Sequence, residues 1–258
     1  MTYPSGRFVW FEYVSKDPAQ AQGFYGELFN WKTQAMPAPS LPGGQYTMIA
    51  AGEHTLGGWL ESPPGAPPHA HWLAHLQVES AAATADAISA AGGKVLLAPI
   101  PMGGMGTYAV VADPFGGAFA LWQPEKAEPG DYHGVAGTFC WNELMTEHVD
   151  ASVAFYERVG GFTDAPMDMG PMGTYHVLQS EAKGRAGVMQ SPAPGIPQMW
   201  MPYVQVASAD DVVARARRLG GDVKMGPGDI PGIGRIAVIV DPLGAATGIL
   251  QPPPGMGG

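Results

Sequence analysis

The chain is written twice. Residues 6–124 recur as residues 137–252, and a duplication of this length restricts the fold more than any other feature of the sequence. Gly6, Phe8, Trp10 and Glu12 return 131 positions later as Gly137, Phe139, Trp141 and Glu143, and Phe24-Tyr25 returns at the same interval as Phe155-Tyr156. Two small deletions follow, after which Trp72, Gln77-Val78 and Gly92-Gly93 return as Trp200, Gln205-Val206 and Gly220-Gly221. Each copy closes on Asp-Pro-x-Gly and then Gln-Pro: Asp113–Gly116 with Gln123-Pro124, and Asp241–Gly244 with Gln251-Pro252. So long a period means two tandem domains rather than the stacked short repeats of a solenoid. The expected organisation is a first domain over 1–124, a linker over 125–136 centred on Pro129-Gly130, a second domain over 137–252 and a tail over 253–258. Residues shared by the copies build the fold, and residues that differ are where chemistry can diverge.

Bulk composition removes several classes of function. A chain of 258 residues, 46% hydrophobic and 14% charged, can bury a core in each of two domains. The net charge of −10 opposes a nucleic-acid partner, which needs a basic stripe. No apolar run reaches the roughly 20 residues of a membrane span, and the opening MTYPSGRF lacks a signal-peptide hydrophobic region. One cysteine, Cys140, excludes an intrachain disulfide. The expectation is a cytoplasmic protein without a membrane partner. Thirty-seven glycines and 26 prolines predict many turns between short elements.

Each copy holds one order of elements twice. Phe8–Val14 reads as a strand, and Asp17-Pro18 opens a helix, with Asp17 capping free amides and Pro18 at a position that needs no donor. Ala21, Phe24, Tyr25 and Leu28 share a face of that helix, so it should lie on a sheet. Gln45–Ala51 and Leu56–Leu60 read as strands. The order restarts with a strand over Trp72–Val78 and a helix from Ser80 to Ala91 ended by Gly92-Gly93. Strands centred on Val95, Tyr108–Ala112 and Ala118–Trp122 complete the copy.

With Asp17, Phe24-Tyr25 and Asp113-Pro114-Phe115-Gly116 in this order, and their copies in the second half (where His148 replaces the helix-opening Asp), the chain resembles the vicinal oxygen chelate superfamily. That superfamily contains glyoxalase I, extradiol dioxygenases and bleomycin-resistance proteins, and the chain looks most like its tandem-domain, hydroxylase-labelled glyoxalase-like members. The resemblance covers nearly the whole chain. It implies an α+β fold of two tandem domains, each made of two βαβββ units that form an open mixed β-barrel around a pocket. It also implies a monomeric pseudo-dimer or a weak homodimer, because barrels of this kind are often completed from two chains.

Metal-using members carry a His or Gln seven residues before the helix-opening Asp and a Glu in the strand after Asp-Pro-x-Gly. Carried across, those positions hold Trp10, Leu73 and Ala120 in the first half and Trp141, Met201 and Gly248 in the second, with the position near Gly58–Glu61 left open by loop length. An indole, alkyl groups and a glycine do not coordinate a hard or borderline cation, and a thioether suits only soft ones. The resemblance therefore brings no cofactor and no metal with it. His69, His71 and His75 do not restore a site on their own: at strand rise His71 and His75 are about 13 Å apart, too far to share one ion.

Strand parity places Trp10, Glu12 and Val14 on the pocket face of the first strand and Leu73, His75 and Gln77 on that of the second unit. Glu12 and His75 are the candidate catalytic pair, the carboxylate raising imidazole basicity and fixing its tautomer. The alternative is a structural one, with Glu12 satisfied by backbone or a tyrosine hydroxyl. Trp10, Gln77, Tyr108, Trp122, Trp141, Glu143, Tyr203 and Gln205 are the candidate ligand-binding residues. The second half keeps Glu143 but has Tyr203 where His75 stood, and a tyrosine is a poor base at neutral pH. Trp72 and Trp200 point away from the pocket and read as core. The Met-rich segments PMGGMG and DAPMDMGPMG read equally as adaptable lids or as plain loops. The leading expectation is a binder of a small apolar or aromatic molecule, of sequestration or resistance type. Two alternatives are a metal-independent lyase, isomerase or hydroxylase-like enzyme using Glu12 and His75, and a divalent-metal glyoxalase or dioxygenase.

Overall fold

A computed structural model describes residues 5–38, 44–63, 65, 69–126 and 135–255. The centre of the linker, including Pro129-Gly130, and the end of the tail lie outside the described residues, as does the side chain of Met172. The element order is one βαβββ unit repeated four times. The first unit is β1 (Arg7–Ser15), α1 (Pro18–Phe29), β2 (Lys32–Pro37), β3 (Gln45–Ala51) and β4 (His54–Glu61). The second is β5 (His71–Gln77), α2 (Ala81–Ala90), β6 (Lys94–Pro101), β7 (Gly106–Ala112) and β8 (Ala118–Pro124). The third is β9 (Phe139–Thr146), α3 (Val149–Gly160), β10 (Thr163–Asp168), β11 (Thr174–Ser180) and β12 (Lys183–Gln190). The fourth is β13 (Met199–Gln205), α4 (Ala209–Arg218), β14 (Asp222–Ile230), β15 (Gly234–Val240) and β16 (Ala246–Gln251).

Local chemistry sets the helix starts. The Asp17 side chain accepts from the Gln20 amide, and Ser80 and Ser208 cap α2 and α4 in the same way. His148, which replaces the capping Asp at α3, makes no side-chain cap. The Gln-Pro motif has a related role: Gln123 Oε1 accepts from the Ala81 amide and Gln251 Oε1 from the Ala209 amide, so each closing strand caps a helix start. Ala21, Phe24, Tyr25 and Leu28 are the buried face of α1.

Each half contributes one mixed eight-stranded sheet, in the orders β2-β3-β4-β1-β5-β8-β7-β6 and β10-β11-β12-β9-β13-β16-β15-β14. Both sheets are open, not closed into barrels. The first strand of each unit pairs in parallel with its last, and β2, β3 and β4 run antiparallel to one another. The strand β2 has no counterpart in the sequence reading, because KTQAMP is almost wholly exposed at the sheet edge and carries no apolar alternation.

The density of packing also divides the chain into two compact units, each drawing on both halves. One comprises Met1–Val9, Leu73–Gly130 and Trp141–Met201, and the other Trp10–Trp72, Asp131–Cys140 and Pro202–Gly258. The first has a mostly aliphatic core that includes Leu76, Val111, Leu121, Leu144, Leu178 and Val188. The second is aromatic, with Tyr13 packing its ring on Tyr25, Trp59 and Trp72 at centroid distances of 5.6, 5.4 and 5.0 Å. Among the described residues no helix is long and apolar enough to cross a membrane.

Candidate functional site

Four equivalent positions organise the candidate site. In every unit the first strand presents a polar residue directly across the parallel pair from a small one: Glu12 from Gly58, His75 from Ala120, Glu143 from Gly187 and Tyr203 from Gly248. This register resolves the position that loop length leaves open in the sequence, since Gly58 and Gly187 take the place of Ala120 and Gly248. One strand further out the small residues face Met48, Val110, Val177 and Val238, and two residues before these stands a tyrosine in three of the four units: Tyr46, Tyr108 and Tyr175, with Ile236 in the fourth.

In the first and third units these positions form the same hydrogen-bonded cluster. Trp10 Nε1 donates to the Tyr46 hydroxyl at 2.9 Å, which donates to Glu12 Oε1 at 2.9 Å. Trp141 Nε1 donates to the Tyr175 hydroxyl at 2.8 Å, which donates to Glu143 Oε2 at 2.9 Å. Both carboxylates are buried, at 6% exposure. Both tyrosines lie on a glycine, and a Cβ added at Gly58 or Gly187 would collide with the phenol oxygen. The phenol thus fills the space that a side chain on the closing strand would need. Burial, followed by the nearby Glu143 charge, holds the Tyr175 phenol far above its ordinary pKa, so it stays a neutral donor.

The other named residues fall as follows. His75 is buried with its ring 5.2 Å from that of Tyr108, and Tyr108 pairs across the strands with Trp122. The Trp122 ring lies over Gly106, where a Cβ would clash with it. Gln77 is buried beside Trp122 in the β5–β8 register, and its carbonyl accepts from the Gly6 amide. Tyr203 is buried with its ring flat on Gly248, and its carbonyl accepts from the Cys140 thiol, whose pKa burial pushes up to about 12. Gln205 is buried and bonded through its backbone to Gly137 and Thr138. Of the three clustered histidines, His69 is exposed, His71 is half-buried with its pKa lowered by that burial, and only His75 is in the interior. A cavity of about 280 Å³, lined by residues that include Phe29, Ala51, Glu53 and His54, touches none of these clusters.

Sequence reasoning named Trp10, Glu12, Trp141 and Glu143 but missed Tyr46 and Tyr175, which complete both clusters. A signal existed: Tyr46 and Tyr175 are a repeated pair, at an interval of 129 rather than 131 because they lie between the two deletions.

The donor set does not fit the superfamily's divalent cation. The first-strand ligand positions are Trp10, Leu73, Trp141 and Met201, and the closing-strand positions are Gly58, Ala120, Gly187 and Gly248. Among the described residues no three His, Cys, Asp or Glu side chains gather closely enough to hold one ion.

A second polar network anchors each unit's interior, built from the two motifs that suggested the family. In the second compact unit Asp241 Oδ2 accepts from Tyr13 and Tyr25 at 2.6 and 3.0 Å, and Oδ1 accepts from the Leu243 and Ala245 amides. Thr247 Oγ1 meets the Tyr25 hydroxyl and accepts from Trp72 Nε1. In the first, Asp113 Oδ2 accepts from Tyr156 at 2.7 Å and from Gln198 Nε2, and Oδ1 accepts from the Phe115 and Gly117 amides. Trp200 Nε1 donates directly to Tyr156, which confirms the core placement read for Trp72 and Trp200.

Comparison with known proteins bears on the family and the fold. Residues 7–121 match the family model described as the Glyoxalase/Bleomycin resistance protein/Dioxygenase superfamily. The chain is 34% identical to the Mycobacterium tuberculosis protein named "Putative glyoxylase CFP32", over 98% of this chain and 97% of that protein. It is 31% identical to the anthracycline biosynthesis protein DnrV of Streptomyces peucetius, over 96% and 94%. The fold is that of the Mn(II)-bound glyoxalase from Novosphingobium aromaticivorans, with a TM-score of 0.64 at 18% identity, covering 96% of this chain and 82% of that one. From the fourfold βαβββ order, the paired sheets and full-length relatives of this identity, the chain belongs to the glyoxalase, bleomycin resistance protein and dioxygenase superfamily.

Proposed function

We propose that the chain binds a small, flat, largely aromatic molecule against its strand faces, without a divalent metal at the superfamily's ligand positions. The observation that carries this reading is the Trp–Tyr–Glu cluster. It sets a half-buried indole beside a buried carboxylate, and its phenol occupies the space above the glycine where the metal-binding acid would sit. Indole faces stack on planar ligands, and a few placed polar groups fix their orientation. The name of DnrV, which refers to anthracycline biosynthesis, supports a polycyclic aromatic ligand. The test is a titration of tryptophan fluorescence with a dihydroxyanthraquinone, before and after exhaustive dialysis against a chelator. Saturable quenching that survives the chelator supports the reading. Binding that vanishes with the chelator and returns with manganese or zinc sinks it.

A second reading rests on the burial of Glu12 and His75 on equivalent strand positions, at 6% and 4% exposure. Here each of the two groups, within its own compact unit, acts as an acid–base group toward a bound carbonyl compound. It requires pH-dependent turnover that His75→Ala abolishes while ligand binding persists.

A further inference from the structure

We infer that the chain self-associates through its second unit, two copies meeting on the β6 edge and the outer side of α2. This is independent of the ligand-binding reading. Of the nine exposed large hydrophobic residues among those described, five fall within residues 95–105: Val95, Leu96, Leu97, Ile100 and Met105. Leu96 is 58% exposed and Met105 53%. Four of the five lie on β6, an edge strand exposed along almost its whole length, and Met105 lies in the turn that follows. Edges that nothing covers ordinarily carry charge.

The counterpart edge does carry charge. Around β14, Arg235 pairs with Asp210 and Asp229, and Lys224 pairs with Asp222. The same positions of the second unit hold Thr107, Ala82, Pro101, Leu96 and Lys94. Ten residues are charged over 209–252, but only three over 81–124: Asp86, Lys94 and Asp113, the last of them buried. Exposed ion pairs contribute little to stability, so the fold does not decide this exchange. Its effect is to clear one surface of charge, as the centre of a protein interface is cleared.

The form of the edge and its charge name the occupant. Pro99 and Pro101 have no N–H, and the register of β6 against β7 slips twice, so the edge does not extend its ladder to an arbitrary strand. The contact is between side-chain surfaces and needs a partner with a matching uncharged face. Each copy carries a net charge of −10 and repels another wherever acidic surfaces meet. On this face the exposed charges, Asp86 and Lys94, cancel, so two copies about a two-fold axis meet apolar surface to apolar surface. An oppositely charged partner would gain nothing here. An eight-residue strand about 27 Å long beside a helix about 10 Å across offers on the order of 500 Å² per copy. That is the size of a reversible contact, not a permanent one.

The experiment is sedimentation velocity of the full chain from about 1 μM to about 500 μM, the span in which a contact of this size associates. The wild type should pass from 27.0 kDa toward twice that mass. Leu96→Lys, which copies Lys224 onto the exposed edge, should move the midpoint to an at least about tenfold higher concentration. Met225→Lys, on the counterpart edge, should leave the midpoint unchanged. If Leu96→Lys loses its near-ultraviolet circular dichroism, Pro101→Asp, which copies Asp229, replaces it. A mass of 27.0 kDa throughout overturns the inference. So does a dimer that Leu96→Lys leaves intact, or that Met225→Lys weakens equally. Growth beyond a dimer overturns the closed two-fold contact.

Discussion

The two compact units hold the same buried carboxylate in different surroundings. Around Asp241 two tyrosine hydroxyls, from β1 and α1, converge on one oxygen, and aromatic rings pack about them. Around Asp113 the α1-equivalent tyrosine, Tyr156, remains, but Leu144 stands where Tyr13 would be. The lost donor is replaced from elsewhere: Gln198, whose counterpart in the other copy is Ala70, supplies its amide. Thr146 then donates to the far end of Gln198, whereas the equivalent Ser15 hydroxyl is buried with no hydrogen-bond partner among the described residues. Thr247, which links Tyr25 to Trp72, is replaced by Phe119, and Trp200 bonds Tyr156 directly. What evolution kept is the count of donors on a buried acid, four in each case, and not the residues that supply them. That is what the cost of an uncompensated buried charge demands.

The largest test of this comparison removes the acids. Asp241→Ala leaves two phenols and two amides in an interior with little access to water, and should cost about 4 kcal/mol or more of unfolding free energy in urea titrations. Asp113→Ala should cost roughly 1–2 kcal/mol less, because Gln198 is only half-buried and can turn to solvent. Equal losses would show that the supporting donors do not matter. Next in size is Tyr13→Phe, which deletes one charge-assisted bond at Asp241 and should cost about 1.5–3 kcal/mol. Made together with Ala70→Gln, a copy of the other unit's solution, it should recover part of that loss, and a cycle with no coupling would break the proposed exchange.

Alkali offers a third test. Tyr13 and Tyr25 are both held well above the ordinary phenol pKa of about 10, chiefly by burial and then by neighbouring charge: the other phenol first at Tyr13, Asp241 at Tyr25. A group whose folded pKa is raised contributes stability that is complete below its unfolded pKa and lost as pH rises past it. Stability should therefore hold up to about pH 10 and then fall by about 1.4 kcal/mol per pH unit for each buried phenol. In Tyr13→Phe that slope should be shallower by one proton. An unchanged slope would mean that Tyr13 titrates freely in the folded chain. The smallest effect is expected at the helix caps, where Gln123→Ala and Gln251→Ala should each cost about 0.5–1 kcal/mol and by similar amounts, since both side chains do the same job.

How much of this was legible depends on the range of each interaction. Capping by Asp17 and Ser80, the buried face of α1 and the strand Gln45–Ala51 follow from neighbours a few residues apart, and they were read directly. The inward placement of Trp72 and Trp200 followed from parity along one strand. The exposed edge strand β2 gave no signal because nothing on it is buried. Tyr25 and Asp241 were each recognised as motif residues, but their bond spans 216 positions and no local pattern announces it. Glu12 was picked out by parity while its partner Tyr46 was not, since finding it required knowing the register of β3 against β4.

The crossing of those bonds between copies bears on how such a chain arose. A lone first half would carry Tyr25 without Asp241 and Asp113 without Tyr156. Two such halves could satisfy each other only by meeting, Tyr25 of one reaching Asp113 of its twin, and assembly would then depend on protein concentration. Joining the halves in one polypeptide turns that encounter into a first-order event at a fixed, high effective concentration. It also frees the two copies of each lock to mutate apart, and the exchange of Tyr13 for Gln198 records that freedom.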